Sequence, residues 1–352
     1  MKKLIVLLII SCMLGCTDIA VSFTDKKKPV FTQSDLAKAA NTYFWDNFHA
    51  GNYDSIPEII EKLNMALAEN PNDLVTTDHL GFVHVWALSE RQRLQAADPL
   101  IIDHVYLSRR FFEEAYNMNE NDPRILGFFT DLSLAEGASL NNKREQTEAY
   151  FMGLKCIKQW PQFNKFTVGY AFSNLPPGDK NFKQGLKWQY ESMDDCACEV
   201  TDPSKLSYQQ KTEVIRTSKT AKVKRACGDS WMAPHNLEGF FLNFGDMLVK
   251  NGQWREAIKI YELAKIPDNF DKWIYKDTLE NRIKNAKENT LFFNKPLNEA
   301  DLRNQTVMMV NSRFSCTGCH GMSKEEQILF GKQEPSLRYY FLKDKLKSGL
   351  PN

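Results

Sequence analysis

Residues 316–320 read Cys-Thr-Gly-Cys-His. Two thiols three positions apart can reach the two vinyl groups of one porphyrin. The imidazole beside the second thiol then falls under the iron as its proximal ligand. This pentad is the sequence that covalent haem c attachment requires, so Cys316 and Cys319 are candidate cofactor-binding residues and His320 a candidate iron ligand. Two other readings stay open. One is a plain disulfide between Cys316 and Cys319. The other is half of a zinc site, although the flanks hold no second Cys/His pair at ligand spacing.

An iron held only by His320 is five-coordinate, and the sixth ligand decides whether a haem carries electrons or binds small molecules. Met322 is two residues past His320 and so on the same side of the ring. Met308 and Met309 would have to fold back over it. The remaining histidines are His49, His79, His84, His104 and His235. His235 is the distal candidate, because Trp231-Met232-Ala233-Pro234-His235-Asn236 is a Pro-marked turn at the start of a helix. His79 and His84 are five apart and do not share a helix face as metal ligands. For each histidine, an ordinary core or surface role is the alternative.

Three more cysteines cluster in segment 173–235, which opens on the turn residues Ser173-Asn174-Leu175-Pro176-Pro177-Gly178-Asp179 and breaks the helical pattern. In an oxidising compartment Cys196, Cys198 and Cys227 are expected to give one disulfide, Cys227 with Cys196 or Cys198, and one spare thiol. The alternative is a zinc site of Cys196, Cys198, Cys227 and His235. Cys156 lies on an apolar helix face and reads as a buried free thiol.

The N-terminus points to that compartment. Met1-Lys2-Lys3 is a basic start and Leu4 to Ile10 an apolar run too short to span a bilayer, as in an export signal. Met13-Leu14-Gly15-Cys16 follows and resembles the lipobox of bacterial lipoproteins; Ile9-Ile10-Ser11-Cys12 is a second such match. The resemblance implies that Cys16 carries lipid and begins the mature chain at residue 16. It also implies a location on the periplasmic side of the envelope, with the membrane as partner through the lipid anchor. Thr17 stands where an Asp would favour the inner membrane, so the outer membrane is expected. Segment 17–33, with Lys26-Lys27-Lys28-Pro29, reads as a tether.

The elements that must position this chemistry are helical. Between 34 and 290 apolar residues recur at three- and four-residue intervals. Gly245, Gly252, Ala257, Tyr261 and Ala264 are spaced seven, five, four and three apart and end at Pro267. This resembles the tetratricopeptide family, whose repeats are antiparallel helix pairs. Weaker copies are Ala66 with Gly81, the trio Ser108, Phe112 and Ala115, and the set Gly137, Ala149, Cys156 and Pro161. The expected fold is all-α: a tetratricopeptide-like α-solenoid over 34–290 with a Cys-containing insertion at about 173–235. The family analogy implies a protein partner on the repeat surface. Segment 291–352, with an expected helix from Leu297 towards Met309 and another from Pro335 to Leu342, resembles a cut-down class I cytochrome c. That resemblance implies a short haem module with two helices.

Hydrophobic residues at 43% and charged residues at 25% describe a folded chain. Net charge is +1, falling to about −1 without Lys2 and Lys3, so no basic field points to nucleic acid. Gly-x-Ser-x-Gly, His-Glu-x-x-His and phosphate-cradling motifs are absent. The function expected is a haem c-binding repeat lipoprotein for electron transfer or haem-based sensing. The alternatives are a helical-repeat adaptor whose pentad is a disulfide and, less favoured, a haem peroxidase.

Overall fold

The computed structural model describes residues 24, 27–30, 34–198, 200–217, 227, 236–268, 270–325 and 327–328. Cys12, Cys16, His235 and the Pro335–Leu342 segment lie outside them. Within them are fourteen α-helices, no strand, and one isolated bridge between Val30 and Asp73.

The helices pack mainly as sequence neighbours. α1 (Asp35–Ala50) and α2 (Ile56–Glu69) form the first pair, α3 (Leu74–Ser89) and α4 (Ile101–Met118) the next. They are followed by α5 (Pro123–Ser139) with α6 (Lys143–Gln159), and α7 (Pro161–Phe172) with α8 (Lys180–Cys198). After α9 (Tyr208–Thr217) come α10 (Leu237–Lys250) with α11 (Trp254–Leu263), then the short α12 (Lys276–Lys284) and α13 (Ala286–Phe292). A single turn, α14 (Thr317–His320), follows, and residues 324–325 and 327–328 are helical as well.

Starts are set by side chains that accept from otherwise unpaired first-turn amides. Asp73 Oδ1 accepts from Thr76 N at 3.0 Å, Asp122 Oδ1 from Arg124 N at 3.0 Å, and Asn236 Oδ1 from Gly239 N at 2.7 Å. Pro123 and Pro161 begin their helices, where a missing N–H costs nothing. The Asn/Asp/Pro turns of the sequence are thus helix caps.

In the pairs α3/α4 and α10/α11, one helix is buried on most sides and its neighbour on one stripe. α10 is buried at nearly every position, whereas α11 buries Ala257, Ile260, Tyr261 and Leu263. The two backbones approach because Gly245 has no Cβ: one placed there would lie 2.1 Å from Tyr261 Cε1. Gly81 does the same for Phe112, whose Cζ would lie 2.9 Å from the added carbon. At both places a small residue stands where the two helices of a pair come closest, and the aromatic that covers it belongs to the same pair.

Two expectations are corrected. Segment 173–235 does not break the helical pattern among its described residues. α8 and α9 occupy much of it, because Phe182, Leu186, Gln189, Met193 and Cys196 form a buried stripe at helical spacing. The helix expected from Leu297 towards Met309 is absent. Polar side chains there take local backbone groups instead. Gln305 Oε1 accepts from Asn298 N at 2.7 Å, and Gln305 Nε2 donates to the carbonyls of Asn298 (2.7 Å) and Asp301 (2.8 Å).

Residues 293–316 therefore form an irregular strap, helical only in a single 3₁₀ turn at Met309–Asn311. It is stitched to the segment after α3. Ala97 N donates to Glu299 O and Leu302 N to Gln95 O, both at 2.9 Å. Gln92 donates to Gln305 O at 2.8 Å and accepts from Arg313 N at 3.0 Å. On the α10 side, the buried Asp246 accepts from Tyr261 Oη (2.6 Å) and Met309 N (2.7 Å) and pairs with Arg282 Nε at 3.1 Å. Burial raises the Asp246 pKa, against the pull of Arg282.

Candidate functional site

The strap ends in the pentad, which closes into one helical turn. Cys319 N and His320 N both donate to Cys316 O, at 3.1 and 3.0 Å. The turn brings Cys316 and Cys319 to neighbouring positions on one helix face, with His320 beside them.

A turn of four residues has no stability of its own, so the surroundings must supply it. The main support is Glu90, wholly buried after the end of α3. Its Oε1 accepts from Cys316 N (3.1 Å), Thr317 N (2.7 Å) and Thr317 Oγ1 (2.8 Å). Its Oε2 accepts from Trp86 Nε1 (3.0 Å) and Arg93 Nε (2.7 Å). A carboxylate at the open amides of a helix start is favoured by charge and by hydrogen bonding alike. Trp273 Nε1 donates to Gly318 O at 3.0 Å, Tyr275 Oη meets Thr317 Oγ1 at 2.5 Å, and Tyr170 Oη meets Ser315 Oγ at 2.6 Å. Gly239 of α10 lets the turn sit flush, since a Cβ there would lie 2.6 Å from Cys319 Sγ.

Cys316, Cys319 and His320 all line one cavity of about 360 Å³ between the strap and helices α3, α5 and α7. Its walls are mostly apolar and aromatic, with Phe48, Phe82, Phe128, Phe166 and Phe172 among them. Both cysteines are free thiols, with no bridge between them. Burial first, and then the nearby Glu90, hold the Cys316 thiol well above its ordinary range; burial and Glu238 do the same for Cys319. His320 is half-buried, with Phe48 as a ring neighbour at 5.1 Å. Burial lowers its pKa to about 4, so at neutral pH the ring is an uncharged imidazole able to bind a metal.

These residues fit a haem. The cavity is apolar, within the usual size range for small-molecule sites, and presents two unbridged thiols and one neutral imidazole together. Arg91, whose guanidinium also pairs with Glu299 at 3.1 Å, is the one cation among the described lining residues and could meet an acidic substituent.

Other expected site residues lie elsewhere. Met308 and Met309 are core residues beneath the pentad, Met309 packing against Gly318. His79 Nδ1 contacts Asn41 Oδ1 at 2.5 Å, and His84 and His104 face each other with Nδ1 atoms 2.8 Å apart. His49 stacks on Trp45, and its carbonyl accepts from Met322 N at 3.0 Å. Cys196 is joined to Cys227, one of the two pairings the sequence left open, and that bridge uses two ligands of the zinc alternative. Cys198 is an exposed thiol at the end of α8 and Cys156 a buried one on α6. Among the described residues no group of three or more His, Cys, Asp or Glu could hold a metal ion.

Sequence reasoning missed Glu90 and Asp131. Nothing around Glu90 marks it. Asp131 does carry a signal, an acid inside the apolar run Ile125–Leu134 of α5. It lines the cavity, and its Oδ1 is buried without a hydrogen-bond partner. Burial alone holds its carboxyl well above the carboxylate range.

No protein-family model matches this chain, and neither does any curated protein sequence. The functional reading therefore stands on the residues and their arrangement.

Proposed function

We propose that the chain is an exported, lipid-anchored haem c protein, with Cys316 and Cys319 as the thioether cysteines and His320 as the proximal iron ligand. The observation that carries this is the shared cavity: the three residues that the pentad's chemistry needs border one apolar space, thiols free and imidazole neutral. A bound haem supplies a redox-active iron for electron transfer or ligand sensing. The chain's own residues supply the rest. Glu90 and Trp273 hold the attachment turn in register. The aromatic walls exclude water from a porphyrin's faces, and His320 offers its uncharged ring.

The tetratricopeptide-like reading of the helix pairs belongs to the same proposal, supported by small residues, Gly81 and Gly245, at close approaches between the two helices of a pair. So does a protein partner on the repeat surface. Resemblance to class I cytochrome c is kept for the attachment pentad only. Cys16 as lipid carrier and an outer-membrane, periplasm-facing location complete the reading, on the sequence alone. Among the described residues no helix is long and apolar enough to cross a membrane.

The test is expression in a bacterium with haem-attachment machinery. A Soret band, and haem that stays with the polypeptide on a denaturing gel, are expected. Loss of covalent haem is expected in Cys316→Ser/Cys319→Ser, and weakened or lost holoprotein in His320→Ala. Exported protein without Soret absorption would overturn the proposal in favour of a helical adaptor.

A further inference from the structure

We infer that this cavity takes a small diatomic ligand on the open side of the haem, and that Asp131 is the residue that hydrogen-bonds it. The inference rests on the haem reading above and goes beyond it by choosing ligand binding over electron transfer.

Three observations support it. First, among the described lining residues His320 is the only histidine and there is no methionine or lysine, so no other described lining residue is of a type usual at a sixth position. Met308 and Met309, on the strap ahead of the pentad, are committed to the core. Second, the part of the wall built by α5 carries Asp131 within a largely apolar surface. An acid in such a surface is costly unless it has a use, because an unpaired buried polar atom forfeits its water bonds without replacement. Asp131 Oδ1 is in that condition. Third, several of the other polar lining residues are engaged with neighbours. Tyr170 is bonded to Ser315, Arg91 to Glu299, and Gln146 Nε2 to Gly137 O at 2.8 Å. Asn174 Oδ1 accepts from Asn311 at 2.9 Å. Among the described lining residues, Asp131 is the one that carries a buried side-chain oxygen without a hydrogen-bond partner.

Its protonation fits the role. Burial raises the Asp131 carboxyl pKa well above the usual carboxylate range, which favours the protonated form; that form can donate a hydrogen bond to a partly negative ligand atom, which an ionised carboxylate would repel. No bond to the carboxyl is made or broken; the acid only donates a hydrogen bond.

The experiment uses full-length holoprotein, reduced with dithionite and exposed to carbon monoxide, comparing wild type with Asp131→Leu and Asp131→Asn. The wild type is expected to bind carbon monoxide readily. In Asp131→Leu the carbon–oxygen stretch should rise, and dissociation of cyanide from the oxidised protein should quicken about tenfold, as for one lost hydrogen bond. Asp131→Asn keeps a donor and should fall between the two. Soret absorption retained by both variants shows that they fold and load. Unchanged stretch and cyanide loss in Asp131→Leu would overturn the role of Asp131. A low-spin holoprotein that refuses carbon monoxide would overturn the open site and leave the haem standing. Absence of any covalent haem would overturn both readings.

Discussion

The helix pairs and the strap that crosses them are built on different physics. Between α3 and α4, or α10 and α11, cohesion comes from apolar area and close backbone approach, as where Phe112 covers Gly81 and Tyr261 covers Gly245. The strap buries few large side chains between Phe293 and Val307. It is held by polar contacts to Gln92, Gln95 and Arg93 on the segment after α3, and to Asp246 and Arg282 on the far side. Apolar packing tolerates approximate fits, whereas hydrogen bonds require particular partners at particular distances. The region that must place two thiols and an imidazole together is the region held the second way.

Truncating an aromatic of the first kind should have the largest effect. Phe112 is fully buried and meets the rings of Phe82 and Phe128 at 5.1 and 5.4 Å. Phe112→Ala should cost about 3–5 kcal/mol in urea unfolding, a cavity effect that lowers global stability. A cost below about 1 kcal/mol would mean that the pairs are not the main source of cohesion.

Acid should act next, and on the attachment turn. His320 is held near pKa 4 when folded, against about 6.5 when unfolded. Below the unfolded pKa only the unfolded chain takes the proton, so stability present above pH 6.5 is lost as pH falls towards 4. For haem-free protein the loss should reach about 3 kcal/mol at most. His320→Gln should flatten that part of the profile. His84, pushed to about 3 by burial and by the facing His104, adds a separate loss that His320→Gln leaves in place. An unchanged profile in His320→Gln would show that the ring is open to bulk water.

Glu90→Gln sharpens the contrast with the smallest global effect. It removes the charge and turns one acceptor into a donor facing other donors, for about 1–3 kcal/mol. The local effect should be larger. Alkylation of Cys316 and Cys319 in haem-free protein should quicken by more than the global loss accounts for, because the turn comes free before the pairs do. Equal changes in both measurements would mean that strap and pairs unfold as one unit.

Legibility in the sequence follows the same division. The all-α class and the small residues at close helix approaches were readable, because helical spacing and small side chains report directly on packing, whereas the aromatic that covers each was not. The pentad was readable because its spacing is local. α8 was missed although Phe182, Leu186, Gln189 and Met193 carry the period, since the turn at Pro176–Asp179 and the cysteines drew attention to a break. The absent Leu297–Met309 helix was misread for the opposite reason: its acidic start looks like a helix start, while Asn298, Asp301 and Gln305 bind the backbone in an irregular path. Glu90 could not be found at all. The residues it serves are 226 and 227 positions away, and nothing in a linear pattern encodes that distance.

That distance also bears on how the molecule comes apart. An open stack of helix pairs interacts only with nearest neighbours and can fray from either end. Here α14 packs on both α1 and α10, so the first helix and a late one are fastened through the same turn. The turn thus acts as a clasp between α1 and α10, and it cannot close during synthesis until residue 320 has been made, long after the helices that receive it.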